Sequence, residues 1–366
     1  MRHIYEITKN LIKMAQLNKS NINSIFFEVV ERNVYWDKVN GGLFQEDKYE
    51  YTPKYKAIVD KEKDTLFVIA SRNYQLITNY EVLEEGKRIA NLIFSDNENN
   101  NEHFKFDLYA CSLGAKRASC KMILARDVDV KQPLICDAWS PVLIASNSYN
   151  KSLALRYIIG FSYHMTDLIY PQVGENFVIP IEKGSTMDFH NQINETLKKN
   201  RHFLMGLVNE AMADFQIKIE RLNKKQVTNN MYLAMFCKFF NICKSKYYDQ
   251  GALVANKARS VIFKKNTFIE SWNKNSKASG MNAYSFLLSI LDYVTNYHVY
   301  KDSIDVYEYQ LQAGKWADDY LTAASSDNFD AMSYLGDYFN TSVWLEPLTE
   351  LDVIMAEREM KNLKTK

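Results

Sequence analysis

From Ser185 to about Asn223 the chain contains no proline, and Leu204, Val208, Ala211, Phe215, Ile219 and Leu222 recur with the 3.6-residue period of one helix face. Only Gly206 interrupts this pattern with a residue of low helix propensity. A helix of about 35 residues would be about 50 Å long, more than most globular helices reach. The carboxyl half must therefore be organised around one long element, an arm or spine that Ser185 and Asp188 are placed to start. Gly 12 and Pro 6 are both scarce in 366 residues, which favours long uninterrupted elements throughout. With 47% apolar residues, the chain can fill two domains, or one large core with an appended helical module.

Before that spine the pattern is mixed. Ile7, Leu11 and Met14 have helical spacing, and Asn40-Gly41-Gly42 signals a turn. Ala57 to Asp60 and Thr65 to Ser71 flank the charged Lys61 to Asp64 as a hairpin. Asn79 is placed to cap a helix whose face is Val82, Leu83, Ile89, Leu92 and Ile93, followed by a polar loop from Ser95 to Glu102. Two more hairpins follow: Phe104 to Ala110 with Cys120 to Ala125, and Pro141 to Asn147 with Ser152 to Tyr163. Their tips carry Lys116, Arg117 and Lys151, with Arg156 close behind. Pro171 to Gly184 reads as the boundary. Beyond it, helices are predicted over 231–246, 251–263, 281–297, 306–324, 331–339 and 350–362. The expected fold is α+β: a hairpin-rich sheet domain with a packed helix over residues 1–180, then an all-α domain over residues 185–366.

The near-zero net charge conceals a split inside the helical half. Residues 198–277 hold 16 Lys/Arg against 5 Asp/Glu, a surplus of eleven, and residues 278–352 hold 2 against 12, a deficit of ten. Such asymmetry bears on partners rather than on fold. The basic stretch either meets a polyanion or meets the acidic stretch, in the same or a neighbouring subunit. Lys198, Lys199, Arg201, Lys224, Lys225, Lys244, Lys246, Lys257, Arg259, Lys264 and Lys265 could neutralise phosphates, while Tyr247, Tyr248 and Trp272 could stack on bases. Phe236, Phe239 and Phe240 instead have core spacing.

Most readable enzyme classes are excluded, since no phosphate-binding glycine loop, nucleophile elbow or zinc-protease helix motif is present. Cys111, Cys120, Cys136, Cys237 and Cys243 form no CxxC pair, and the six histidines are scattered, so neither a metal nor a cofactor is expected. Cys136, Cys237 and Cys243 read as small buried groups. Asp318, Asp319, Asp327 and Asp330 read as surface charges near helix starts. Asp127, Asp129 and Asp137 keep a metal-dependent nuclease as the lowest-ranked class. Without a secretory leader or a run of about 18 apolar residues, no membrane contact and a soluble, cytoplasmic protein are expected.

Two short runs carry a resemblance. Tyr74-Gln75-Leu76-Ile77-Thr78-Asn79-Tyr80-Glu81 resembles the opening of the core of the uncharacterised phage/plasmid-like protein family. The run Pro141 to Ser152 is similar to that family's hydrophobic strand followed by Asn-Ser-x-Asp-Gly-Ser, with Asn150 and Lys151 standing where the family has Asp and Gly. Tyr163-His164-Met165 replaces an expected Cys-x-Asn element, and Asn282-Ala283-Tyr284 is similar to a helical motif near the family's carboxyl end. The resemblance implies a phage or mobile-element setting, with the protein in the host cytoplasm, but no activity. The hairpin, helix, hairpin order is also loosely similar to ring-forming single-strand annealing proteins, an analogy of topology. The leading expectation is thus a non-enzymatic protein that binds nucleic acid, single-stranded DNA foremost, as a homo-oligomer. The alternative is an interaction or assembly component, such as an anti-defence factor that binds a host protein or a structural phage protein, using head-to-tail charge pairing.

Overall fold

Thr78 and Glu81 start the helix on which the first part of the fold is built. Thr78 accepts from the Glu81 amide and Glu81 accepts from the Thr78 amide, a capping box that opens α1 (Asn79–Ile93). The cap is therefore Thr78 and not Asn79, which becomes the first helical residue and is buried. In the computed structural model the described residues are 23–37, 49–94, 106–126, 138–163, 168–171, 178–180, 188–228, 230–249, 252–296, 303–326 and 328–364. The expected helix at Ile7 to Met14, the turn at Asn40 to Gly42, the loop from Ser95, and Cys136, Asp127, Asp129, Asp137, His164, Met165 and Asp327 lie outside them.

Ahead of α1 stand β1 (Val29–Asp37), β2 (Tyr49–Asp60) and β3 (Thr65–Ser71), an antiparallel sheet in that order. Its inner residues Val29, Ile58 and Ala70 pack with Phe27, Tyr74 and Tyr149. The β2–β3 hairpin forms as expected, its turn held by Asp60 Oδ1, which accepts from the amides of Glu62 and Lys63.

A second sheet comprises β4 (Phe106–Leu113), β5 (Ser119–Arg126), β6 (Trp139–Ser148), β7 (Arg156–Tyr163), β8 (Ile169–Pro171) and β9 (Val178–Pro180). Its order is β4-β5-β6-β7-β8, with β9 paired to β7. Both further expected hairpins are present in it. β6 and β7 are buried on both faces, which is why they read as continuous apolar runs rather than alternating ones. α1 lies on this sheet at Gly86, where an added Cβ would sit 3.1 Å from both Leu124 and Tyr157. Glycine is required there for close approach, not for a turn.

The spine is α2 (Phe189–Lys224), 36 residues long. It is followed by α3 (Met231–Phe239), the short pair β10 (Tyr248–Asp249) and β11 (Ala252–Leu253), α4 (Ala255–Ser279), α5 (Ala283–Asn296) and α6 (Ser303–Ala323). α7 (Ala331–Leu335), α8 (Asp337–Leu345) and α9 (Glu350–Lys364) close the chain. The architecture is α+β with a helical carboxyl part, as the pattern predicted. Three helix bounds differ: α3 stops at Phe239, α4 continues to Ser279, and the expected 331–339 helix breaks at Gly336, where φ is +52°.

By contacts the chain divides into two compact units, one of residues 1–165, 171–212 and 301–305, the other of 166–170, 213–300 and 306–366. α2 gives residues to both. In the second unit α5 is buried from Ala283 to Val294, and aromatic rings fill the space around it. Tyr232 stacks on Trp272 at 5.0 Å, Phe236 on Phe268 at 4.4 Å, and Phe286 meets Trp316 at 4.6 Å. Phe236 and Phe239 are buried, as their spacing predicted, as is Cys237; Cys243 is only half-buried. Among the described residues no helix is long and apolar enough to cross a membrane.

Candidate nucleic-acid interface

The basic hairpin tips meet at one end of the six-stranded sheet. Ser119 pairs with Ser148, and the Tyr149 amide donates to the Ala118 carbonyl at 2.7 Å, so the β4–β5 and β6–β7 turns lie side by side. Lys116, Arg117 and Lys151 all have positive φ, 55°, 62° and 63°. Lys116 and Lys151 are exposed, the latter with Nζ 5.0 Å above the Tyr74 ring. Arg117 is not available to a ligand. Its guanidinium lies 3.7 Å over Phe27, 2.9 Å from Glu62 and 3.4 Å from the buried Asp60, clamping the tip to the β2–β3 turn. Arg156 is no tip residue either, being half-buried in β7 opposite Ser146 and Pro180.

The two runs that carry the family resemblance come together here. Asn147 Nδ2 donates to the Ile77 carbonyl at 3.0 Å and to Asn79 Oδ1 at 2.9 Å. Asn79 Nδ2 donates to the Ile25 carbonyl at 2.9 Å, and its amide donates to the Tyr149 hydroxyl at 3.0 Å. Burial pushes the Tyr149 phenol well up, keeping it neutral. Ser148 Oγ donates to the Leu153 carbonyl at 2.8 Å, and Asn150 accepts from the Ser152 amide at 3.0 Å. These groups satisfy one another and pin the start of α1 to the sheet, a structural use of polar side chains.

Much of the basic stretch is consumed inside the second unit. Lys265 is buried and donates to the carbonyls of Leu345, Glu346 and Leu348 at 3.3, 3.1 and 2.6 Å, closing the end of α8. Desolvation lowers its pKa. Lys225 donates to the Ala324 carbonyl at 2.6 Å, and Lys238 to that of Tyr334. Lys218 pairs with Asp318, Lys274 with Asp292 at 3.3 Å, and Arg259 with Glu357 at 2.6 Å. Trp272 is 3% exposed and stacks on Tyr232, so it is core and presents no face to a base. Asp318 and Asp330 also have structural uses, the latter accepting from the amides of Met332 and Ser333 at the start of α7.

On α2, Lys198 is exposed and Lys199 pairs with Glu195 at 3.3 Å; the Arg201 side chain lies outside the described residues. Lys224 and Lys257 are exposed as well, whereas Lys264 is half-buried and its pKa is lowered by desolvation.

One group of expected residues does converge. The turn Lys244–Tyr247 runs into β10, and both of its tyrosines lean on Trp344 of α8. Ring centroids are 5.6 Å apart for Tyr247 and 6.0 Å for Tyr248, and the Trp344 indole donates to the Tyr248 hydroxyl at 3.0 Å. Lys244 Nζ is 5.8 Å above the Tyr248 ring, and Lys246 is exposed while donating to the Asn241 carbonyl at 3.2 Å. The Val254 amide donates to the Tyr247 carbonyl at 2.9 Å, joining this cluster to the start of α4, whose first turn has Lys257 and no acid. Trp344 was missed by sequence reasoning because it lies in the acidic stretch, 96 residues from its hydrogen-bond partner. Half-buried rings beside exposed lysine charges suit a ligand that is both aromatic and anionic. Among known proteins, no family model, no curated protein and no solved structure matches this chain.

Proposed function

We propose that this chain is a non-enzymatic protein that binds nucleic acid, single-stranded DNA foremost, as a homo-oligomer in a phage or mobile-element setting. The observation that carries the reading is the joining of Lys244, Lys246, Tyr247 and Tyr248 with Trp344 beside Lys257. Lysines supply the sequence-independent phosphate attraction, and rings accept any base because every base has a π-face. The exposed Lys116 and Lys151 add cations in the first unit. The two runs resembling the phage/plasmid-like family support the setting.

Fluorescence anisotropy with labelled single-stranded and duplex DNA across a salt series tests this. Log affinity for the single strand should fall with log salt at a slope of about −0.7 per phosphate contacted, and K244E with K257E should flatten it. Absence of binding at low salt overturns the reading.

A second reading, an interaction or assembly protein, is favoured by a different observation. Leu351, Ile354 and Met355 of α9 are exposed, as are Val343 of α8 and Phe263 of α4. Such side chains suit a protein partner. The internal pairs Lys218–Asp318 and Lys274–Asp292 leave fewer charges for a head-to-tail contact between copies.

A further inference from the structure

We infer that the solvent face of α9 is the contact between two copies of this chain, their α9 helices lying antiparallel across a two-fold axis. This rests on the homo-oligomer part of the reading above and names the surface that makes it.

The start of α9 is fixed by Thr349, whose amide and hydroxyl both donate to Asp352 at 2.7 Å. Val353 and Ala356 are buried and Glu357 pairs with Arg259 of α4 at 2.6 Å, so one side of the helix is spent within its own unit. On the other side Leu351, Ile354, Met355 and Arg358 have the i, i+3, i+4, i+7 spacing of a single stripe. Leu351 is 64% exposed, Ile354 43% and Met355 54%, and Arg358 is exposed as well. Single exposed apolar side chains are ordinary, but three in one stripe form a seam.

Charge at the two ends of the seam selects the occupant. Glu350 is exposed at its start and Arg358 at its end, eight residues and about 12 Å apart along the axis. Neither has an ion-pair partner among the described residues. Nor does α9 offer them one. Val353 and Ile354 follow Glu350 at helical contact spacing, and Ile354, Met355, Lys361 and Asn362 flank Arg358. A second copy laid antiparallel sets each Glu350 opposite the other copy's Arg358, with Ile354 and Met355 packed at the axis. The same patch then serves both partners, as a two-fold contact requires. Parallel copies would oppose like charges, and a phosphate backbone would meet Glu350. Two turns of helix bury less than the roughly 1,600 Å² of a stable interface, so the pairing is weak and depends on concentration.

The test is sedimentation of the full chain over a wide concentration range at low salt. Ile354→Glu, which sets carboxylates against each other at the axis, should stay monomeric throughout with native circular dichroism. Glu350→Arg and Arg358→Glu should each weaken dimerisation about tenfold, because two attractive pairs per dimer become repulsive ones. The double swap Glu350→Arg with Arg358→Glu should restore it, and a mixture of the two single variants should form the mixed dimer. If the native chain and Ile354→Glu self-associate alike, this inference fails and the homo-oligomer reading stands on another surface. If the native chain is a monomer at every concentration, both fail, while DNA binding is judged separately by anisotropy. Single charge variants that dimerise as the native chain does overturn the antiparallel pairing.

Discussion

Lys116 and Lys151 occupy backbone conformations that glycine adopts without strain, and each lysine there costs about 1 kcal/mol. At Lys151 this chain therefore carries charge where backbone comfort favours glycine. Lys151→Gly should therefore raise the thermal midpoint while reducing the salt slope of DNA binding by about 0.7. A lower midpoint would show that the Lys151–Tyr74 contact outweighs the strain. Carboxylates that cap helices work in the opposite direction on acidification. Asp188 and Asp330 accept backbone amides and have pKa values lowered from the ordinary 3.8, so the folded chain binds fewer protons there than the unfolded one. Their stabilisation is present above that value and is lost as pH falls through the folded pKa. Acid titration of urea midpoints should show this loss, diminished in Asp330→Asn.

At the scale of elements, two glycines give opposite expectations. An added Cβ at Gly206 in α2 meets nothing within 4 Å, so Gly206→Ala should stabilise by about 0.5–1 kcal/mol. At Gly86 the same change presses on Leu124 and Tyr157 and should cost about 1–3 kcal/mol; denaturant midpoints read both. α2 and the face of α1 were readable in advance because each repeats one period without conflict, and the β6–β7 hairpin because two apolar runs flank a turn-forming Ser-Tyr-Asn-Lys stretch. The stop of α3 was not, since Phe239 to Asn241 has no proline or glycine and the chain turns on the positive φ of Asn241. Nor could spacing along one helix separate Lys257 from Lys265: one is exposed, while the other is drawn inward by carbonyls more than 80 residues away. Trp272 had the composition of a stacking residue, and Tyr232 takes that role inside the core.

For the whole molecule, the opposed charge blocks are partly joined within one chain by Lys218–Asp318 and Lys274–Asp292. Assembly through α9 and its exposed Leu351, Ile354 and Met355 would be apolar. Molar mass by light scattering should thus hold from low to high salt, and a mass that falls with salt would favour head-to-tail charge pairing as the mode of assembly. The chain passes between its two units more than once. Residues 166–170 and 301–305 each belong to the unit other than that of their flanking segments, and α2 changes allegiance between Met212 and Ala213. A single cut in the chain therefore cannot release either unit with all of its residues.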